Sequence, residues 1–244
     1  MVRGAGAELP LFFLDWLTLT DDIVQLTVPG FEYPRPHTRP RVHYVGPLAV
    51  SDTGTHPLPD WWAELDSRLP TVLVTQGSAE PDLDRMVRPT LTALGTEAVN
   101  VLVSLGGRES ESGLALPANA RLADALPYDE VFPALSAFVT NGGYGGVGFA
   151  IRHGVPVVAV GRSQDKAEVA ARIRWSGIGI GIPRRTISAR AIGHAVGEVL
   201  WQPRYRARAR EFREQAAQCS GLDAAARVVV GSGTDRGPGE GSGT

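Results

Sequence analysis

Lysine is nearly missing from this 244-residue chain: of its 24 basic residues, 23 are arginine and one, Lys166, is lysine. Cysteine is as scarce. Cys219 stands alone, so no disulfide can form within the chain. A large charge of either sign is also absent, and the formal net charge of −2 offers no field for drawing in nucleic acid or an anionic lipid surface. The longest apolar runs, such as Val155 to Val160, fall far short of the ~20 residues that cross a bilayer. After Arg3 the N-terminus continues with Gly, Ala, Glu8 and Pro10 instead of the apolar core of a secretory signal. His37, His43 and His56 show no metal-ligand spacing. These absences point to a cytoplasmic protein with no nucleic-acid partner and no transmembrane segment.

What is present is ordinary for a globular protein, with 43% hydrophobic and 20% charged residues. The arginine bias fits the codon usage of a GC-rich genome. A lysine surviving at one position then hints at a tight site that accepts only the compact ammonium.

The chain divides unevenly. Residues 1–58 hold too little apolar surface to close a core. They read as a helix over 9–26, a Pro-rich extended stretch over 28–36, a short strand over 42–45 and a Gly/Pro/Ser/Thr-rich linker. Residues 59–231 alternate short apolar runs with helical patterns. Strands are expected over 71–74, 98–104, 120–123, 137–140, 155–160 and 178–182. Helices are expected over 82–95, 129–135, up to His153, and over 166–176, 188–200, 203–219 and 223–230. This is the signature of an α/β fold, a Rossmann-like doubly wound parallel sheet covered on both faces. The Gly/Ser-rich tail over 232–244 is expected to be disordered.

Three motifs follow strands. The strongest is Thr140-Asn-Gly-Gly-Tyr-Gly-Gly-Val-Gly-Phe149, which ends a strand and opens a helix. Its glycines let backbone approach a ligand closely. The N–H groups and dipole of the helix start then suit a diphosphate. A tight turn is the plainer alternative. Gly143 to Gly148 also matches the G-x-G-x-x-G dinucleotide pattern, but three strands precede it, whereas in that fold the glycines follow the first strand. The second motif is Gly161-Arg-Ser-Gln-Asp-Lys166, where Asp165 can accept from sugar hydroxyls, cap the following helix, or do both. The third, Thr75-Gln-Gly-Ser78, is by itself little more than a turn.

Taken in order, Val74-Thr-Gln-Gly-Ser78, Pro117-Ala-Asn-Ala-Arg-Leu122, Leu126-Pro-Tyr-Asp129, Phe138 to Gly146, His153-Gly-Val-Pro156 and Asp165-Lys166 resemble family 1 glycosyltransferases, the bacterial macrolide and antibiotic branch above all. The resemblance implies the C-terminal half of a GT-B fold with a truncated N-terminal, acceptor-binding domain. It implies a UDP- or TDP-sugar as donor substrate, a small-molecule or lipid hydroxyl as acceptor, and no metal or other cofactor. It places Leu126, Pro127 and Tyr128 along the nucleobase, and Gly77, Ser78, Asn141, Gly142, Gly143, Tyr144, Gly145 and Gly146 around the diphosphate. Gln164, Asp165 and Lys166 then face the donor sugar. Where many members have His, this chain has Asn141; where many have Gln, it has Lys166. No histidine matches the family's catalytic base. His37, His43 and His56 lie in turn-rich stretches without an acid partner at recognisable spacing. His153 reads as a helix C-terminal residue favoured by the dipole, and His194 as a surface or packing residue. No catalytic residue is assigned. A non-catalytic nucleotide-sugar-binding module, or a split enzyme needing a separate N-terminal-half chain, remains the alternative.

Overall fold

The computed structural model describes residues 17–36, 40–48, 56–78, 80–107, 113–163 and 165–234. Two sheets are formed. The first is a two-stranded parallel ribbon of β1 (Asp22–Gln25) and β2 (Arg41–Tyr44), with Asp22 opposite Arg41. The second has six parallel strands: β3 (Thr71–Thr75), β4 (Asn100–Ser104), β5 (Ala120–Ala123), β6 (Ala137–Thr140), β7 (Val157–Val160) and β8 (Gly179–Ile182), in the order β5-β4-β3-β6-β7-β8.

The helices are α1 (Val87–Leu94), the single turn α2 (Tyr128–Val131), α3 (Tyr144–His153), α4 (Lys166–Ser176), α5 (Ala189–Trp201), α6 (Pro203–Ala217) and α7 (Gly221–Thr234). The central strands are apolar on both faces, as a sheet covered twice requires. Val72, Val74, Val101, Val103 and Val139 pack on one side with Leu91 of α1 and Ile192 and Val196 of α5. Leu73, Leu102 and Phe138 pack on the other with Val147 and Ile151 of α3, Ile173 of α4 and Phe212 of α6.

The two-sided α/β sheet agrees with the sequence reading, with most element ends shifted by one or two residues. Two elements differ outright. Residues 17–26 of the expected helix form a 3-10 turn and β1 instead. The β-branched Ile23 and Val24 suit a strand, and β2 supplies the hydrogen-bonding partner together with an Arg41–Asp22 ion pair of 3.0 Å. At the other end α7 does not stop at Val230 but runs to Thr234, so 232–234 are helical and not part of a disordered tail. The helix over 82–95 is split by Met86, whose φ of −148° is not helical.

Val28 and Phe31 of the N-terminal segment are fully buried in the same cluster as Phe212. The Gly221 amide donates to the Val45 carbonyl at 2.9 Å, and α7 packs on β1.

Candidate functional site

All six strands of the main sheet point the same way, so their carboxyl ends share one edge. The chain runs β3, β4, β5 outward on one side, then returns to β6 beside β3 and continues outward through β7 and β8. The loops after β3 and β6 therefore diverge, and this reversal opens the crevice in which open α/β sheets bind ligands.

Gln76, Gly77 and Ser78 form one wall and 141–146 the other. Gly77 (φ 72°) and Gly142 (φ 87°) lie in the left-handed region, which glycine alone occupies without strain. Asn141 braces the two walls. Its side-chain amide donates to the Gln76 carbonyl, and its Oδ1 accepts from the Gly143 amide at 3.2 Å. One of its two donor hydrogens is thus spent on protein. Gly161 closes the packing behind, since a Cβ there would fall on the Asn141 carbonyl oxygen.

The start of α3 is different, being open. A Cβ on Gly145 would meet nothing within 4 Å, and one on Gly143 only Asn141 Oδ1 at 3.6 Å. No side chain caps this helix. The amides of Tyr144, Gly145 and Gly146 belong to its first turn, before intrahelical acceptors exist.

Beside this lies a cavity of about 320 Å³ whose lining includes His56, Ser78, Ser104, Leu126, Pro127, Tyr128 and Phe149. Tyr128 stands edge-on to Phe149, with centroids 5.2 Å apart. Burial pushes its phenol pKa up, against the hydroxyls of Thr75 and Ser104 that hydrogen-bond it. The sequence reading missed Ser104, Phe149 and His56 here, because their contribution depends on loops brought together only by strand order.

Asp165 is exposed and makes no capping hydrogen bond with its side chain. Its carboxylate is therefore not committed to the helix start. Lys166 follows on the same turn, with its carbonyl 3.5 Å from where a Cβ on Gly142 would stand, so α4 begins against the glycine loop. Gln164 lies outside the described residues.

The Tyr144 side chain is engaged by the N-terminal segment. Its hydroxyl receives a hydrogen bond from Gln25 Nε2 (3.0 Å) and donates to Glu32 Oε1 (3.2 Å). Burial first, and the Glu32 carboxylate in part, raise its pKa, while Gln25 opposes. Its backbone amide belongs to the open first turn of α3.

Of the histidines, His43 differs from expectation. His43 Nε2 sits 2.6 Å from Asp22 Oδ1, and Arg41 binds the same carboxylate. The parallel register sets this acid partner 21 positions away, beyond any local spacing. The pair borders a cavity of about 540 Å³ shared with Arg227 and Val228 of α7, which no residue of the glycine loop lines. His153 does end α3, but burial among Phe132 and Phe149 lowers its pKa despite Asp129 at 3.4 Å. The expected position holds, with Gly154 as the left-handed cap that follows. Among the described residues no cluster of three His, Cys, Asp or Glu side chains is placed to hold a metal.

The model of the erythromycin biosynthesis protein CIII-like C-terminal domain matches residues 88–229. The chain belongs to this family of glycosyltransferases. It is 41% identical over 214 residues to the 4'-demethylrebeccamycin synthase of Lentzea aerocolonigenes, covering 87% of this chain and 50% of that protein. It is 34% identical to UDP-glucosyltransferase B1 of Starmerella bombicola, covering 90% and 53%. Among solved structures, the calicheamicin glycosyltransferase superposes with a TM-score of 0.75 at 20% identity, covering 97% of this chain and 58% of that one. The glycosyltransferase VinC, solved in complex with DTDP, superposes at 0.68 and 23% identity, covering 88% and 53%. At such identities the structures establish the fold, that of the GT-B C-terminal half. The chain spans about half the length of the curated relatives it matches. As a member of this glycosyltransferase family it keeps the loops after β3, β5, β6 and β7 assembled on one edge.

Proposed function

We propose that this chain is the donor half of a glycosyltransferase. It holds a UDP- or TDP-sugar at the crevice between β3 and β6, for transfer of the hexose to a hydroxyl of a small molecule or lipid. One observation carries the reading: the Gly77-Ser78 turn abuts Asn141, just before the open first turn of α3, and also lines the Tyr128 cavity. Oriented N–H donors and the helix dipole stabilise a departing diphosphate. In this proposal they do so without a metal, with Ser78 assisting. Leu126, Pro127 and Tyr128 border the base, and the uncommitted Asp165 carboxylate with Lys166 receives the sugar. The chemistry belongs in the cytoplasm, and no described helix is long and apolar enough to cross a membrane.

The acceptor pocket and its base are supplied, in this reading, by an N-terminal half, in the same polypeptide or as a separate chain. Two features support that need. A two-stranded parallel ribbon is too small to stand alone. Leu17, Leu19 and Leu26 around it, and Leu222, Val229 and Val230 on α7, are exposed. Without such a half the chain acts as a nucleotide-sugar-binding module.

Thermal shift tests the donor assignment. UDP or TDP at about 100 times its Kd stabilises the fold by about 2.7 kcal/mol, and NAD does not. Stabilisation by NAD with neither nucleotide effective overturns the assignment.

A further inference from the structure

The glycine loop contains one side chain. From Gly142 to Gly146 every residue is glycine except Tyr144. Glycine on either side leaves the backbone free to wander in the absence of a tether, yet the loop must hold its amides still to be of use to a ligand. Asn141 holds it from the strand side; on the helix side the tether is the Tyr144 phenol, and it leads to Glu32.

Glu32 is a carboxylate of the N-terminal segment, 4% exposed. Its Oε2 accepts from Arg172 Nε at 2.9 Å, and its Oε1 from Tyr144 at 3.2 Å. Gln25 Nε2 lies 3.4 Å from the same Oε1, and Arg35 lies 3.9 Å from Oε2. Arg172 is itself held: its guanidinium stands 5.0 Å over the Tyr33 ring, and it bonds Glu168 at 3.2 Å. A buried charge paired this fully resists displacement, because removing one partner strands the other.

The three anchored elements matter because two of them begin at the glycine loop. Tyr144 is the first residue of α3, and Arg172 lies on α4, which begins at Lys166 beside Gly142. Gln25 ends β1, in the segment outside the main sheet. One buried carboxylate therefore joins the first residue of α3 and the second half of α4 to the segment preceding the domain. Glu32 does not line the Tyr128 cavity.

We infer that Glu32 is a positioning residue which, through Tyr144 and Arg172, sets the glycine loop for the donor's diphosphate and so makes donor affinity depend on the N-terminal segment. This rests on the donor-half reading above. It separates two parts of the ligand: the loop can affect only the diphosphate, whereas the Tyr128 cavity receives the base.

The test compares the full chain with Tyr144→Phe and Glu32→Gln. Tyr144→Phe keeps the ring against Phe31 (6.2 Å between centroids) and removes only the hydroxyl, so it folds even where Glu32→Gln, which strands Arg172, does not. Calorimetry measures UDP and TDP, and NMR titration measures uridine and thymidine. In Tyr144→Phe the diphosphates weaken about fivefold or more, the cost of about one positioned hydrogen bond. The nucleosides bind as before, and Glu32→Gln, where folded, shows the same split. Unchanged UDP and TDP affinity in folded Tyr144→Phe overturns the inference, as does equal weakening of nucleoside and diphosphate, which would mark a merely structural role. If the unaltered chain binds neither UDP nor TDP, it is the donor-half reading that fails, and the inference falls with it.

Discussion

Gly143→Val separates ligand binding from folding more cleanly than any other change in the glycine loop. Gly143 has φ −62° and ψ 131°, an extended conformation that valine adopts freely. A Cβ there meets only Asn141 Oδ1 at 3.6 Å, an ordinary contact. Its amide keeps its bond to the same oxygen. Replacing glycine where the backbone permits it restricts the unfolded chain, for a gain of about 0.4–1 kcal/mol. Tm should therefore hold or rise, by no more than ~4 °C for a chain of this size. The two methyls project instead into the space before the first turn of α3. A hydrogen bond to a charged group contributes about 1.5–3 kcal/mol, so displacing the diphosphate from one amide weakens UDP or TDP at least about tenfold, ~1.4 kcal/mol. Gly142→Val is the counter-case. At φ 87° a β-branched residue is strained, so Tm falls before any ligand is added. Calorimetry with UDP and TDP, paired with thermal melts, reads both. Unchanged affinity in a folded Gly143→Val chain returns the loop to the role of a tight turn.

Three further outcomes follow from the same geometry. The purified chain binds a nucleotide-sugar but does not pass it on, since general-base catalysis alone contributes about 10² to 10⁴ in rate. Mass spectrometry with hydroxylated acceptors showing turnover near ~1 s⁻¹ would place a working base in the N-terminal segment. Asp165→Ala leaves Tm unchanged, because no cap is lost, and weakens a UDP-sugar severalfold while sparing UDP; equal weakening of both ligands contradicts a sugar contact. Burial holds the His153 pKa below its ordinary 6.5, so the native state binds fewer protons than the unfolded chain. Its contribution is complete above that value and is lost as pH falls through it. His153→Gln should flatten the loss of Tm between about pH 7 and pH 5, and an unaltered slope removes this residue from the account.

The six-stranded sheet was legible because its strands are short, continuous apolar runs set between helical periods. Lys166–Ser176 matched the expectation residue for residue. The glycine loop was legible for the same local reason. What escaped was non-local. β1 looked helical because its apolar residues fit either period, and only β2, some twenty residues on, decides for strand. Asp22 beside His43, and Glu32 beside Tyr144 and Arg172, join positions 21 to 140 residues apart. No spacing rule links them. Tyr144 was placed at the diphosphate by its neighbours in sequence, and the partners of its hydroxyl come from its neighbours in space.

The burial of Phe31 against Phe212 also bears on how the chain is made. The Gly30 amide bonds the side chain of Gln215, 185 positions later. At a synthesis rate of about 5–20 residues per second, that separation is a delay of roughly ten to forty seconds. Throughout it, the apolar partners of Val28 and Phe31 on α6 are not yet made. Contacts this distant form late and slowly. The six-stranded sheet, whose strands all lie between residues 71 and 182, can assemble first, leaving the N-terminal segment to dock last, from a chain already folded.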